Sequence, residues 1–163
     1  MFEAEKDKYL MKHGFGATRL KAVLFDMDGV LFDSMPNHAY SWSHAMTQFG
    51  LHITPEEAYM HEGRTGGGTI DLLAQRDWGR RATEEEKQTI YKAKSDVFSR
   101  CPEAPRMPGA YELLKKVKAD GFTPMVVTGS GQVSLIDRLN HNFPSVFRRD
   151  LMAVSYTHLT LPT

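Results

Sequence analysis

The 163-residue chain has one cysteine, no net charge and no long apolar run. A single cysteine, Cys101, excludes an internal disulfide and a cysteine-rich zinc site, and it favours a cytoplasmic location. Twenty acidic and twenty basic side chains balance, so no long-range attraction draws the chain to nucleic acid or to an anionic membrane. No stretch is long enough for a membrane-spanning helix. We expect a cytoplasmic monomer without nucleic-acid or membrane partners.

The most informative segment is an apolar run that ends in two carboxylates. The run from Ala22 to Phe25 is typical of a buried strand, and Asp26 and Asp28 follow it just before Gly29. A turn at the glycine lets both carboxylates converge beyond the carboxyl end of the strand, where open α/β sheets bind ligands. Such a pair suits Mg²⁺, or one carboxylate can act as nucleophile and the other as acid/base. The alternative is an ordinary Asp-Gly turn.

The longer stretch from Asp26 to Ser34 resembles the first signature motif of the haloacid dehalogenase (HAD) superfamily, in the form typical of β-phosphoglucomutase-like phosphatases and mutases. The resemblance implies that Asp26 attacks a phosphate to form an aspartyl-phosphate. Asp28 would then protonate the leaving group and activate the next acceptor. It also implies Mg²⁺, held by Asp26 and Asp28, which neutralises charge between carboxylate and phosphate. A dehalogenase activity fits less well, because Asp28 and Gly29 match the phosphotransferase pattern.

A second stretch, Val126 to Ser130, resembles the second HAD motif, which places a hydroxyl at the tip of a strand. The resemblance implies that Thr128, Gly129 and Ser130 bind phosphate oxygens through hydroxyl and backbone N–H groups. The alternative is a threonine that ends a strand before an ordinary turn.

Between the two motifs the pattern is helical. Apolar periodicity and N-cap signals at Ser34, Thr54 and Thr83 predict helices and no convincing strand. The chain thus shows a strand, then a helical insertion, then a resumed strand–helix–strand pattern. This order is typical of a HAD core with an inserted cap. We therefore expect an α/β fold: a HAD-like Rossmannoid parallel sheet, incomplete at the carboxyl terminus, with an α-helical cap. The expected divisions are a helical extension (1–20), a partial core (21–34 and 102–153), a cap (35–101) and a tail (154–163).

Two residues of the expected cap are candidates for substrate binding. Arg64 lies in a glycine-rich segment, Gly63 to Gly68, that we expect to be a loop near the active site. Its guanidinium can hold a second phosphate or a carboxylate, unless the loop is flexible and the arginine solvated. His38, early in the first cap helix, can face the same cleft, although a surface or packing role is an equal alternative.

The last ten residues, Val154 to Thr163, resemble a translated sequencing adapter, one reading frame of which gives all ten in order. A natural, slightly apolar tail is the alternative. HAD enzymes carry a later lysine and one or two later acidic residues, and neither type occurs here beyond Asp150. We expect the parent gene to have been cut after about Ala153, and the polypeptide as written to fold poorly or to be nearly inactive.

The sequence thus predicts that the parent protein is an enzyme acting on a small phosphorylated metabolite. The expected reaction is Mg²⁺-dependent hydrolysis of a phosphomonoester, in particular a sugar phosphate, through an aspartyl-phosphate at Asp26. Isomerisation of a sugar phosphate is the alternative, in which a sugar hydroxyl rather than water accepts the phosphoryl group. If the chain truly lacks its lysine and metal acids, a non-catalytic sugar-phosphate binder is a further alternative.

Overall fold

A computed structural model describes residues 3–16, 20–129, 135–148 and 152–154. None of the helices in these ranges is long and apolar enough to cross a membrane. The helices and strands follow one another in the order α1 (Glu3–His13), β1 (Ala22–Phe25), α2 (Met35–Thr47), α3 (Pro55–Met60), α4 (Gly66–Asp77), α5 (Glu84–Phe98), α6 (Ala110–Ala119), β2 (Thr123–Thr128), α7 (Leu135–Asn142) and β3 (Met152–Val154).

The three strands form one parallel sheet in the order β1-β2-β3. Phe25 at the end of β1 pairs with Val126 of β2, so the carboxyl ends of these strands lie side by side. β3 is aligned with the end of β2 through a pairing of Thr128 with Val154. The predicted parallel α/β sheet is confirmed. Val154, the first residue of the adapter-like tail, is the last residue of β3. Residues 155–163 lie outside the described residues. The origin of the tail stays a prediction.

Two hydrophobic clusters support the molecule. One lies against the sheet and includes Phe25, Phe32 and Phe143. The other joins α2 to α5, which we call the helical layer, and includes Met46 and Ile70. Each fully buried side chain of this size contributes about 2 kcal/mol of transfer free energy. A core domain and an inserted cap each need a hydrophobic core of their own, so two clusters fit that arrangement. The domain boundaries stay a prediction.

Two neighbouring segments connect the helical layer to the sheet. Phe32 and Arg106 form an antiparallel bridge, and the N–H of Asp33 donates to the carbonyl of Pro105 over 2.9 Å. We call these four residues the linker ribbon. Because the chain enters and leaves the helical layer side by side, the helices are held close to the carboxyl end of β1.

Local signals set several helix boundaries as predicted. Thr54 and Thr83 form reciprocal capping boxes with Glu57 and Glu86, which satisfies backbone donors at the starts of α3 and α5. Gly14 follows α1 with a φ of 67°, a left-handed conformation that glycine adopts without strain.

The glycine-rich segment differs from its prediction. Gly66, Gly67 and Gly68 form the first turn of α4 and are not part of a loop. The Oγ1 atom of Thr65 accepts the N–H of Gly68 over 3.1 Å. The predicted loop through Gly68 is wrong because this threonine cap offsets the poor helix propensity of glycine.

Asp77, at the end of α4, ties the helix to the segment before α3. Its carboxylate accepts the Nε–H of Arg76 over 2.8 Å and the backbone N–H of His52 over 2.7 Å. The hydrogen bond from Arg76, followed by that from His52, lowers the pKa of Asp77 from 3.8 to about 2.

We predict that D77N lowers the free energy of unfolding by about 1 kcal/mol at neutral pH, because two hydrogen bonds to a charged acceptor are weakened. The pKa of Asp77 is depressed in the folded state, so this stabilisation is present above pH 3.8 and is lost as the pH falls through about 2. Urea unfolding across this range should show wild type and variant converging at the acid end. D120N is the control, since the Asp120 carboxylate pairs with Lys116 at the surface. A difference that persists at the acid end contradicts the prediction.

Candidate active site

A cavity of about 520 Å³ lies between the carboxyl ends of β1 and β2 and the helical layer, a volume typical of small-molecule sites. The structure brings six of the seven predicted site residues to its walls: Asp26, Asp28, His38, Arg64, Thr128 and Gly129. Ser130, the seventh, lies outside the described residues. The roles assigned to these residues stay predictions.

Asp26 and Thr128 reach the cavity because they lie at the ends of paired parallel strands. The Asp26 side chain is exposed, and its Oδ1 atom accepts the N–H of Met27 over 2.7 Å. Thr128 is 2 % exposed. Because the Asp26 carboxylate is exposed at the end of β1, a ligand can contact it without displacing neighbouring side chains.

Asp28 has the opposite environment. Gly29, with a φ of 74°, turns the chain so that the Asp28 carboxylate points back toward the start of α2. The hydroxyl of Ser34 donates to Asp28 Oδ1 over 2.6 Å, and Nε2 of His38 lies 3.4 Å from the same oxygen. Burial opposes ionisation of Asp28, but these two contacts and the positive charge of Lys94 outweigh it, so the pKa lies below its ordinary value.

Ser34 has a different role from the one predicted. It occupies the N-cap position of α2, yet its side chain makes no hydrogen bond to the helix backbone. The hydroxyl is fully buried and donates to Asp28. The predicted N-cap position is confirmed, but the Ser34 backbone is helical there, with φ −95° and ψ −9°, and not extended as side-chain capping favours. The hydroxyl therefore bonds to Asp28 and not to the helix.

Lys94 of α5 is a site residue that the sequence analysis missed. It is 5 % exposed, and its Nζ lies 2.9 Å from Nδ1 of His38 and 4.6 Å from the centre of the Phe98 ring. Burial lowers the pKa of Lys94 to about 8, although the negative charges of Asp28 and Glu62 oppose this shift. One signal was available in the sequence: Lys94 follows the buried Ile90 by four residues and so lies on the inward face of α5.

Lys94, His38 and Asp28 form a continuous polar chain from α5 to the end of β1. Lys94 has only donors, so Nδ1 of His38 accepts from it and Nε2 carries the ring proton. That proton faces Asp28, and among the described residues Nε2 has no hydrogen-bond partner of good geometry. The contact at 3.4 Å is therefore mainly electrostatic. His38 belongs to the site and is not a surface residue.

The acidic side chains at the cavity are compatible with a hard cation. The described residues contain no group of three or more His, Cys, Asp or Glu placed to bind a metal. Mg²⁺, however, is commonly held by one or two carboxylates and completes its shell with water and substrate phosphate. Asp26 is the open carboxylate of the pair, whereas one oxygen of Asp28 is already engaged by Ser34.

The family model for haloacid dehalogenase-like hydrolases matches residues 20–152. The chain belongs to this family. The resemblance inferred from the two motifs is confirmed.

The HAD chain is 57% identical to a solved structure described as a candidate beta-phosphoglucomutase from Bacteroides vulgatus, with a TM-score of 0.86 over 95% of this chain and 63% of that one. A beta-phosphoglucomutase from Clostridium difficile is 23% identical, has a TM-score of 0.68 over 86% of this chain and 64% of that one, and shares the fold. The phosphoglycolate phosphatase of Haemophilus influenzae strain 86-028NP is 30% identical over 68% of this chain and 52% of its own length. The HAD chain therefore spans about half the length of the curated relatives it matches.

We predict that S34A raises the pKa of Asp28, because the carboxylate loses its shortest hydrogen bond. The titration of Asp28 is measured by carboxyl ¹³C NMR. T54A is the matched control, because Thr54 also occupies an N-cap but bonds to its own helix. T54A should cost about 1 kcal/mol of stability and leave the Asp28 titration unchanged. An Asp28 pKa that is the same in S34A and wild type contradicts the contact.

We predict that K94M stabilises the folded state by about 1 to 2 kcal/mol at neutral pH, because it removes a desolvated ammonium group. The folded-state pKa of Lys94 is depressed to about 8, so the penalty is full below that pH and fades as the pH rises toward 10.5. Urea unfolding over this pH range measures the gain.

K92M, on the same helix, is the control, since Lys92 is exposed and pairs with Asp96. It should change stability by less than about 0.5 kcal/mol. K94M should also raise the pKa of Asp28. A pH-independent gain would show that Lys94 is not desolvated.

Proposed function

We propose that this HAD hydrolase transfers the phosphoryl group of a small phosphomonoester to water through an aspartyl-phosphate at Asp26. The observation that carries the proposal is the contrast between two carboxylates at one cavity. Asp26 is exposed and free to approach a phosphorus atom, whereas Asp28 is held by Ser34 and His38. Such a pair suits one nucleophile and one acid/base.

In the first step a carboxylate oxygen of Asp26 forms a bond to phosphorus, and the bond from phosphorus to the leaving oxygen breaks. Asp28 enters this step protonated and gives its proton to that oxygen. Asp28 then returns to the carboxylate, the form that Ser34 and His38 stabilise. In the second step this carboxylate takes a proton from the water that attacks phosphorus. The bond from phosphorus to the Asp26 oxygen then breaks, which releases orthophosphate and restores the Asp26 carboxylate.

Phosphate oxygens would be bound at the end of β2. We assign this role to the Thr128 hydroxyl and the N–H groups that follow it, Gly129 among them, and we retain Ser130 on the sequence motif alone. Mg²⁺, when bound by Asp26 and Asp28, would neutralise the charge that repels a carboxylate from a phosphate dianion.

Arg64 contributes from the helical layer, which we propose acts as a cap over the cavity. Its side chain is exposed, lines the cavity and forms no ion pair with another described residue. It can therefore bind a second anionic group of the substrate. The exposed Arg64 side chain at the cavity, together with the name of the B. vulgatus relative, supports sugar-phosphate isomerisation as a second candidate function.

A monomeric state and a cytoplasmic location stay predictions.

Beryllium fluoride, a mimic of a phosphoryl group on aspartate, tests the assignment without requiring turnover. In ¹⁹F NMR the chain should bind it in a Mg²⁺-dependent manner, and D26N should abolish the bound signal because the acceptor oxygen is lost. D28N should slow orthophosphate release by about 100-fold wherever release is measurable, because the acid/base is lost.

D33N is the matched control, since Asp33 is an exposed acid that does not line the cavity. Release of orthophosphate from hexose phosphates and phosphoglycolate, compared with conversion between hexose phosphate isomers, separates hydrolase from mutase. A bound ¹⁹F signal that survives in D26N refutes the nucleophile.

A further inference from the structure

Arg138 of α7 is a largely buried cation that the phosphoryl chemistry does not use. Its Cζ atom lies 3.9 Å from the centre of the Phe32 ring, and its Nη2 donates to the carbonyl of Ala104 over 3.3 Å. Nε lies 3.6 Å from Oε1 of Glu103, and the Arg138 side chain is 14 % exposed. Phe32 precedes the helical layer in the chain and Ala104 follows it. One guanidinium therefore contacts the chain both where it enters the helical layer and where it leaves.

α7 anchors these contacts to the sheet. Phe143, next to the end of α7, is fully buried in the cluster against the sheet, and its ring meets the Phe32 ring edge-on with centroids 5.4 Å apart. Asn142 donates from Nδ2 to Glu103 over 3.4 Å, and its carbonyl accepts Nη1 of Arg106 over 3.2 Å. The linker ribbon is therefore fixed to a helix that is itself part of the core on the sheet side.

The helical layer holds the same exit segment from the other side. Nδ2 of Asn37, in the first turn of α2, donates to the carbonyl of Pro102 over 2.8 Å. The carbonyls of Pro102 and Ala104 are two residues apart, yet one is bound by α2 and the other by Arg138 of α7. The position of the helical layer relative to the sheet therefore depends on how firmly Arg138 holds its side of this segment.

The energetics of the Arg138 contacts favour a positioning role over a stabilising one. Removing a guanidinium from water is costly, and Nε has no hydrogen-bond partner of good geometry among the described residues. An unbranched apolar side chain of similar length would fill the same space without that cost. What such a side chain lacks is the ability to donate to Ala104 and attract Glu103 while it lies on the Phe32 ring.

We infer that Arg138 is a positioning residue, which fixes the linker ribbon to α7 and so sets where the helical layer lies over the cavity. The inference rests on the proposed function only for its effect on ligand binding. Arg64 and His38 belong to the helical layer, whereas Asp26 and Thr128 belong to the sheet. A ligand that contacts both groups at once needs the helical layer held in place. A ligand that contacts the sheet groups alone does not.

Hydrogen exchange tests the positioning role without any ligand. The backbone N–H groups of Asp33 and Met107 each donate across the two linkers over 2.9 Å. R138M removes the charge and the donors but keeps an unbranched chain, so exchange at both amides should become about tenfold faster. The amide of Thr123, bonded to the carbonyl of Lys21 in the sheet, should exchange as in wild type. The urea midpoint should stay within about 0.5 M of wild type, because the buried charge adds little net stability.

K118M is the matched control. Nζ of Lys118 donates to the carbonyl of Ser145 over 2.6 Å, so the variant removes another contact between a cation and a carbonyl without touching the linkers. Exchange at Asp33 and Met107 should be unchanged in K118M. Unchanged exchange at these two amides in R138M, or an equal rise in K118M, overturns the inference.

Calorimetry in the presence of Mg²⁺ separates the positioning role from the proposed function. Phosphoglycolate carries a phosphate for the end of β2 and a carboxylate for Arg64, whereas inorganic phosphate has the first group alone. R138M should weaken phosphoglycolate binding by about tenfold and leave inorganic phosphate binding unchanged, since the two halves of the site are no longer held together. Equal losses for both ligands, or no loss for either, overturn the positioning role. If neither ligand binds to the wild-type chain, the proposed function is refuted, while the exchange rates at Asp33 and Met107 still decide the role of Arg138.

Discussion

A buried chain of polar side chains, Lys94 to His38 to Asp28, is the interaction on which the site depends. Moving an ammonium group and a carboxylate out of water is costly. Contacts with Ser34 and His38 outweigh this cost for Asp28, whose pKa lies below its ordinary value, but the cost is only partly offset for Lys94, whose pKa falls to about 8. These partners come from α5, α2 and the turn after β1. The position of the helical layer and the protonation of Asp28 are therefore set by the same contacts, and neither can change alone.

The two carboxylates show how different surroundings suit the same residue type to different roles. Asp26 and Asp28 are separated by a single residue, yet the Asp26 carboxylate is exposed at the cavity and accepts a backbone N–H, whereas the Asp28 carboxylate is enclosed by Ser34 and His38. The cause is local, because the chain turns at Gly29 and brings Ser34 and His38 against the Asp28 carboxylate. A carboxylate pair on a straight strand would lie on one face in similar surroundings.

Local patterns predicted much of the architecture. The apolar runs of β1 and β2, the capping boxes at Thr54 and Thr83 and the parallel sheet depend on neighbours in sequence or on general rules of chain connection. The place where strands end also indicated which side chains would line the cavity. Such features are encoded within a few residues, so a single sequence is enough to find them.

One contact was missed because it depends on a distant part of the chain. Lys94 contacts a histidine 56 positions away, and a lysine in a charged helix gives little sign of that partner. Two other features were missed although their causes are local. The hydroxyl of Ser34 bonds to Asp28, six residues earlier, and not to the helix that it precedes. The Thr65 cap starts α4 at Gly66, where the run of glycines favoured a loop.

The linker ribbon has a consequence for how such a molecule can change over evolutionary time. Because the two crossings at Phe32 and Arg106 are paired, the ends of the intervening stretch are no farther apart than two neighbouring strands. The entropy of closing a loop between fixed ends grows only with the logarithm of its length. Material between these crossings can therefore be lengthened, shortened or replaced with little effect on strand pairing. The same sheet can thus acquire a new recognition surface by exchanging one insert at one point of the chain.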